Sequence, residues 1–289
     1  MNKIRFVANR DTNYVFHMLS VSKCGYDNSY GDYYARLYPQ EDLAVLKGHE
    51  KLITVCGGEH CGALYGILVC EAASAKLSAK DYYTELLHQV TDNSISNDLL
   101  QHSQAICQIA EVMIRHYDYF IENVWNIEQA KIAAYIPAVQ QLFDDRGFAE
   151  KAEKAVGIKL SHDYFIATLV TSIENGAEAI DITDEQDVFG IERTPLDAFY
   201  FIAHEFIIYL LFNALKEENA FKELNTWSIT EGLAEYYLKQ ILGDTRFFDA
   251  QKNWVAFFEQ TNQLNQLDAV ELYRQGLNTL WRYNQINKS

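Results

Sequence analysis

Apolar residues recur at every third or fourth position through most of the first 160 residues, which is the period of an amphipathic helix. Such spacing is found over residues 64–77, 80–90, 99–124 and 127–155. Pro137 and the pair Arg146-Gly147 are expected to interrupt the last of these stretches. The pattern therefore predicts a mainly helical N-terminal region over residues 1–160.

The pattern changes after this region. Residues 164–173 are rich in β-branched and aromatic side chains, which favour a buried strand. Asn175-Gly176 is a strong turn signal, and residues 177–183 form a second extended run. Helical spacing then resumes to the C-terminus. We therefore expect an α+β, mainly α, protein whose second region, residues 161–289, contains a small sheet and further helices.

One predicted helix carries an anomaly. Thr194 is a good N-cap and Pro195 suits the first helical position. From Ala198 to Phe212 the helix is apolar apart from two tyrosines and the pair His204 and Glu205. A helix that is apolar on all sides is a buried helix. Burial of an ionisable pair costs free energy unless a metal ion, an opposite charge or hydrogen bonds compensate it, so His204 and Glu205 are candidate functional residues.

A second helix is predicted to begin near Thr226 and to end at Gly243, a suitable C-cap. Glu231 and Glu235 lie four positions apart in it, and therefore on one face. An alternative role for Glu231 is structural, because the spacing Ser228-x-x-Glu231 is that of a capping box.

His204-Glu205, followed by the run Thr230-Glu-Gly-Leu-Ala-Glu-Tyr236, resembles the gluzincins, the thermolysin-like and aminopeptidase-like zinc peptidases. These families carry the motif HExxH on one helix and a glutamate ligand on a later helix. The resemblance covers residues 162–243 and implies a zincin-like fold. It implies His204 as a zinc ligand, Glu205 as the general base that activates a zinc-bound water, and Glu231 as the third ligand. Glu235 would be the carboxylate that orients a ligating histidine.

The same resemblance implies a substrate site on the sheet. Residues 177–183 would form an edge strand along which an extended peptide binds. Ala177, Ala179 and Asp181 are the residues of this strand that we assign to the substrate edge.

The motif departs from the family at one position. Four residues after His204, where HExxH has its second histidine, the chain has Ile208, which cannot bind a metal. With His204 and Glu231 alone, zinc is expected to bind weakly or not at all, since catalytic zinc sites use three protein ligands. His60 and His162 are the candidates for a replacement ligand.

Three functions therefore remain open. The first is an active metallopeptidase with a changed ligand set, and the second is a pseudo-peptidase that binds a peptide or protein without cleaving it. The third is a non-catalytic helical module in which His204 and Glu205 form a buried structural network.

Composition excludes other classes. The net charge of −16 disfavours nucleic acid and anionic membranes as partners, because both require clustered Lys and Arg. We expect no signal peptide, no segment long enough to span a membrane, and a cytoplasmic location with reduced cysteines. A metal site in the run Cys56-Gly-Gly-Glu-His60-Cys61 is a further alternative, although its spacing matches no known zinc pattern.

Overall fold

The computed structural model describes residues 3–56, 60–174, 177–181, 183–216, 218, 226–243 and 251–286. Its strands are β1 (Ile4–Val7), β2 (Val55–Cys56), β3 (His60–Cys61), β4 (Phe165–Val170), β5 (Ala177–Asp181) and β6 (Gln186–Gly190). Its helices are α1 (Arg10–Val21), α2 (Ser29–Ala35), α3 (Gln40–Gly48), α4 (Glu50–Ile53), α5 (Glu71–Ser74), α6 (Ala79–Thr91), α7 (Asn97–Leu100), α8 (Ser103–Phe120), α9 (Asn126–Arg146), α10 (Phe148–Val156), α11 (Pro195–Leu215), α12 (Trp227–Leu242), α13 (Lys252–Asn265) and α14 (Ala269–Ile286). Two short π-helical segments, Gly66–Cys70 and Ile121–Trp125, precede α5 and α9.

The mainly α, α+β class predicted from the sequence is confirmed. Helices occupy each of the four stretches in which apolar residues recur at helical spacing. Gly147 separates α9 from α10 with a left-handed backbone (φ 52°), as the Arg146-Gly147 signal predicts.

The predicted interruption at Pro137 is wrong, because α9 continues through it. Proline removes one hydrogen bond, the one that would be accepted by the carbonyl of Ala133. Pro137 and Ala133 both lie on the exposed side of α9. Water can therefore satisfy that carbonyl, which makes the proline tolerable inside the helix.

Both predicted strands belong to one four-stranded sheet of order β1-β4-β6-β5. They are not neighbours: β6 lies between them, parallel to β4 and antiparallel to β5. The expected turn at Asn175-Gly176 falls outside the described residues. β5 is an edge strand, as predicted, and its pairing with β6 shifts register between Ala179 and Asp181. β2 and β3 form a separate antiparallel pair.

The chain folds into two compact units. The first comprises Met1–Arg5, Val139–Phe165 and Leu196–Ser289, and the second comprises Phe6–Ala138 and Ile166–Pro195. The predicted boundary at residue 160 does not coincide with this division, since the chain passes between the units several times. α10 to α14 lie in the first unit, and most of the sheet lies in the second.

The expectation that no segment is long enough to span a membrane is wrong for α11. This helix passes that test by length and composition alone, but most of it is buried inside the protein. A helix that is apolar and buried on most sides packs as a core helix.

Candidate functional site

The candidate site is built on α11. The helix begins at Pro195, carries Asp197 in its first turn and buries most of its residues, as the sequence predicts. His204 is only 1% exposed. Its neighbour Glu205 is partly buried.

Aromatic packing inside the first unit fixes the rotation of α11. The ring of Phe206 lies 5.8 Å from that of Phe165 and 6.1 Å from that of Phe148. One turn further along, the ring of Tyr209 lies 5.0 Å from Phe165. These tilted and edge-to-face contacts are favourable only over a narrow range of geometry. They therefore hold the helix face that carries His204 in one direction.

α12 supplies the two carboxylates. Its N-cap is Thr226 and it ends at Gly243, which has a left-handed backbone (φ 77°). Ser228 therefore lies inside the first turn, so the alternative of a capping box between Ser228 and Glu231 is wrong. The side chain of Glu235 is buried, whereas that of Glu231 is 18% exposed and so lies closer to solvent.

The two helices bring three of the predicted site residues into direct contact. Nδ1 of His204 lies 2.7 Å from Oε1 of Glu235, and Nε2 lies 3.0 Å from Oε2 of Glu231. Both distances are those of hydrogen bonds. We call His204, Glu231 and Glu235 the histidine cluster.

The partners of His204 bear on the charge of its imidazole. An ionised carboxylate only accepts hydrogen bonds, so with both glutamates ionised both ring nitrogens must carry a proton for both bonds to form. Burial by itself lowers the pKa of His204, but the hydrogen bonds to Glu231 and Glu235 outweigh it. Together with the charge of Glu205, they raise this pKa to about 10. His204 is therefore an imidazolium at neutral pH, bonded to one carboxylate on each side.

Glu205 completes the local charge balance. Burial raises the pKa of its carboxyl group to about 7, against the opposing effect of His204 and with a further increase from Glu231. It makes no hydrogen bond or ion pair with the residues that the structure describes. Near neutral pH it is therefore poised between its acid and its carboxylate.

Two buried oxygens next to these contacts lack a hydrogen bond. Oε2 of Glu235 and Oγ1 of Thr230 are inaccessible to solvent and have no partner among the described residues. An unsatisfied buried oxygen costs about 1–3 kcal/mol. The histidine cluster is thus held by two strong bonds and carries an uncompensated polar atom beside them.

The residues present do not fit a catalytic zinc ion. His204 Nε2 and Glu231 Oε2 could act as two donors, but Ile208 is a buried aliphatic side chain at the position of the missing one. Among the described residues, no three or more His, Cys, Asp or Glu side chains are placed so that they could hold one metal ion. His162 is exposed, unlike the buried His204, and the side chains of His60, Cys56 and Cys61 lie outside the described part of the protein. A catalytic zinc ion needs three protein ligands.

The predicted substrate strand lies in the second unit. The carbonyl oxygen of Ala179 accepts a long hydrogen bond of 3.6 Å from the thiol of Cys70. The carboxylate of Asp181 accepts from the backbone N–H groups of Thr183 and Asp184, which closes its own turn. Ala177 pairs with Phe189 of β6. A substrate role for this strand stays a prediction.

One residue beside the histidine cluster was not anticipated from the sequence. Trp254, in the first turn of α13, contacts α12 at Gly232, the residue after Glu231. A Cβ atom on Gly232 would lie 2.2 Å from the Cβ of Trp254. The glycine inside the predicted helix was the available signal, because such a glycine often marks a close approach of another element.

Comparison with known proteins provides no relative. No protein-family model, no curated protein and no solved structure matches the chain. The resemblance to the gluzincins therefore depends on the residues of α11 and α12 alone.

Proposed function

We propose that this chain is a metallopeptidase-like protein that does not hydrolyse peptides, in which an imidazolium takes the place of the metal centre. His204 corresponds to the first ligand, Glu231 to the third ligand and Glu235 to the orienting carboxylate. The protons on His204 join the two glutamates, as a metal ion on one ring nitrogen and a hydrogen bond from the other do in an active enzyme of the family.

One observation supports this assignment most directly. Each ring nitrogen of His204 faces a different glutamate, with Nε2 towards Glu231 and Nδ1 towards Glu235. In a zinc peptidase, one ring nitrogen binds the metal and the other donates to a carboxylate. His204 has the same arrangement. Nε2, the nitrogen that would bind the metal, contacts the more exposed Glu231, and Nδ1 contacts the buried Glu235.

The loss of activity follows from the chemistry of Ile208. A zinc ion lowers the pKa of its bound water to about 7, and this water is the nucleophile that Glu205 would activate. An isoleucine contributes no donor, and the imidazolium of His204 has no lone pair with which to bind a metal. We therefore derive no hydrolytic step for this chain. Its function is to bind a peptide or protein segment, the substrate class of the families that it resembles.

Metal content and peptide cleavage together test this proposal. Protein purified without chelators should contain clearly less than one equivalent of zinc, and should leave a mixed peptide library intact with and without added zinc. It should still bind members of that library. Stoichiometric zinc, together with cleavage that disappears in Glu205→Gln, would show that the chain is an active enzyme.

The second candidate is a helical module in which the histidine cluster is only structural. It is favoured by the fact that His204 is buried and satisfied by its own chain. Peptide binding separates the two candidates. If the parent protein binds no peptide of the library while His204→Gln lowers only its stability, the structural candidate is correct.

A further inference from the structure

Three helices of the first unit meet at two glycines and one tryptophan. Gly232 lies on α12 and Gly276 lies on α14, and both are buried. A Cβ atom on Gly232 would lie 2.2, 2.8 and 3.2 Å from Cβ, Cγ and Cδ1 of Trp254. A Cβ atom on Gly276 would lie 3.6 Å from Cζ3 of the same indole. The tryptophan therefore fills the space that the missing side chain of Gly232 leaves, and its far edge reaches Gly276.

The indole itself is held in place. It stacks on the ring of Phe258, with the planes 22° apart and the centroids separated by 5.8 Å, and Phe258 is fully buried. Phe257 contacts the indole edge-on at 5.8 Å, and its own ring lies 5.3 Å from that of Phe258. The indole is partly buried and borders a cavity lined also by Asn253, Phe257, Thr279 and Leu280, so these two ring contacts fix its orientation.

Gly232 is the immediate neighbour of Glu231 and lies three positions before Glu235. On a helix of 3.6 residues per turn, Gly232 is about 60° around the axis from Glu235. A shift of α12 at Gly232 therefore moves both carboxylates, and hydrogen bonds of 2.7 and 3.0 Å tolerate only small shifts before they weaken.

We infer that Trp254 is a positioning residue for Glu231 and Glu235, because its contact with Gly232 sets the depth and rotation at which α12 holds both carboxylates against His204. The inference rests on the proposed function in taking the histidine cluster as the site. Trp254 acts through α12, by its contact with Gly232.

The test uses the full chain labelled with ¹⁵N-histidine. In the parent protein, the two ring N–H groups of His204 should give low-field proton signals protected from exchange, assigned by their loss in His204→Gln. In Gly232→Ala, both signals should be lost to exchange with water, because the new Cβ displaces α12. In Trp254→Ala, they should also be lost, because the substitution removes the indole that packs against Gly232 through Cγ and Cδ1.

Val255→Ala is the matched control. Val255 is also buried on α13, but it points about 100° away from Trp254 around the helix. It should lower the melting temperature and keep both signals, which separates positioning from general loss of stability. The double variant Gly232→Ala/Trp254→Ala should also lose both signals, since Trp254→Ala keeps the Cβ atom that a Cβ on Gly232 would meet at 2.2 Å.

The outcomes distinguish the two claims. If the parent protein lacks the two ring N–H signals of His204, both the proposed function and the positioning role of Trp254 are contradicted. Signals that are present in the parent and persist in folded Trp254→Ala contradict this inference alone. If Gly232→Ala does not fold, Trp254→Ala still decides between the outcomes.

Discussion

At the scale of single residues, two of the buried histidines, His17 and His204, have opposite chemistry. His17 is fully buried, and its two ring nitrogens lie 2.7 Å from the hydroxyl groups of Tyr30 and Tyr38. A hydroxyl group can donate as well as accept, so a neutral imidazole satisfies both contacts. Burial lowers the pKa of His17 to about 3. His204 is equally buried, but its partners are carboxylates, so the partner and not the burial decides the charge.

This contrast predicts opposite effects of pH on stability. The pKa of His204 rises from 6.5 in the unfolded chain to about 10 in the folded protein. Its contribution to the free energy of unfolding is therefore fully present below pH 6.5 and is lost as the pH rises to about 10. The stability difference between the parent and His204→Gln, measured by urea unfolding, should shrink by a few kcal/mol over this interval, at about 1.4 kcal/mol per unit of pKa.

His17→Gln is the control, with the reverse dependence. The folded pKa of His17 lies below its unfolded value, so its contribution is present above pH 6.5 and is lost as the pH falls towards 3. A stability difference for His204→Gln that grows between pH 6.5 and 10 would contradict the imidazolium assignment.

Glu205 gives a second prediction at this scale. Its pKa is raised from 4.5 to about 7, so this carboxyl group lowers the free energy of unfolding progressively as the pH rises from 4.5 to 7, and by a constant amount above that. Glu205→Gln should therefore be more stable than the parent at pH 8, by about 1–3 kcal/mol, and should lose most of that advantage at pH 5. Thermal melts at the two pH values measure this. The exposed Glu111→Gln should change stability at neither pH, and a Glu205→Gln variant that is less stable at pH 8 would show that the carboxylate has a stabilising partner.

At the scale of elements, what could be predicted depended on how local the signal was. The start of α11 at Pro195 and the end of α12 at Gly243 were correct, because each follows from one residue and its neighbours. β1 and β6 were missed, because strands of four or five residues are stabilised by pairing with a distant strand. The approach of Glu231 and Glu235 to His204 followed only from the resemblance. The contact of Trp254 with Gly232 depends on how α12 and α13 pack, which no local pattern encodes.

A further prediction concerns α11, where a substitution at Ile208 can restore the missing zinc ligand. Ile208→His places a second imidazole one turn from His204 on the same face of the helix. It should raise zinc affinity on the order of several kcal/mol, against roughly 10–16 kcal/mol for a whole structural zinc site. Without metal the variant should be less stable than the parent, because it buries a polar group, and added zinc should restore its melting temperature.

Ile207→His is the matched control for this change. Ile207 is also buried, but it points about 100° away from the position of Ile208 around the helix. It should lose stability without gaining zinc. Equal zinc uptake by both variants, measured by elemental analysis, would show that His204 and Glu231 do not form part of the new site.

At the scale of the whole molecule, the net charge of −16 makes stability depend on salt, and this dependence distinguishes surface charges from the buried histidine cluster. Repulsion between like charges destabilises a compact protein, and salt screens exposed charges over about 8–10 Å. The melting temperature of the parent at pH 8 should therefore rise between low and moderate sodium chloride. The difference between parent and His204→Gln should stay constant, since buried pairs are screened much less. If the difference in melting temperature between the parent and His204→Gln falls as the salt concentration rises, the histidine cluster lies at the surface.

The most direct test of the central claim counts the protons on the ring of His204. Nitrogen-detected NMR at pH 8 on the ¹⁵N-histidine protein distinguishes protonated from bare ring nitrogens, and His17 provides an internal reference in the same sample. We predict two protonated nitrogens on His204 and one on His17. A single protonated nitrogen on His204 would mean a neutral imidazole with a lone pair free for a metal, and would contradict the account of a metal centre replaced by an imidazolium.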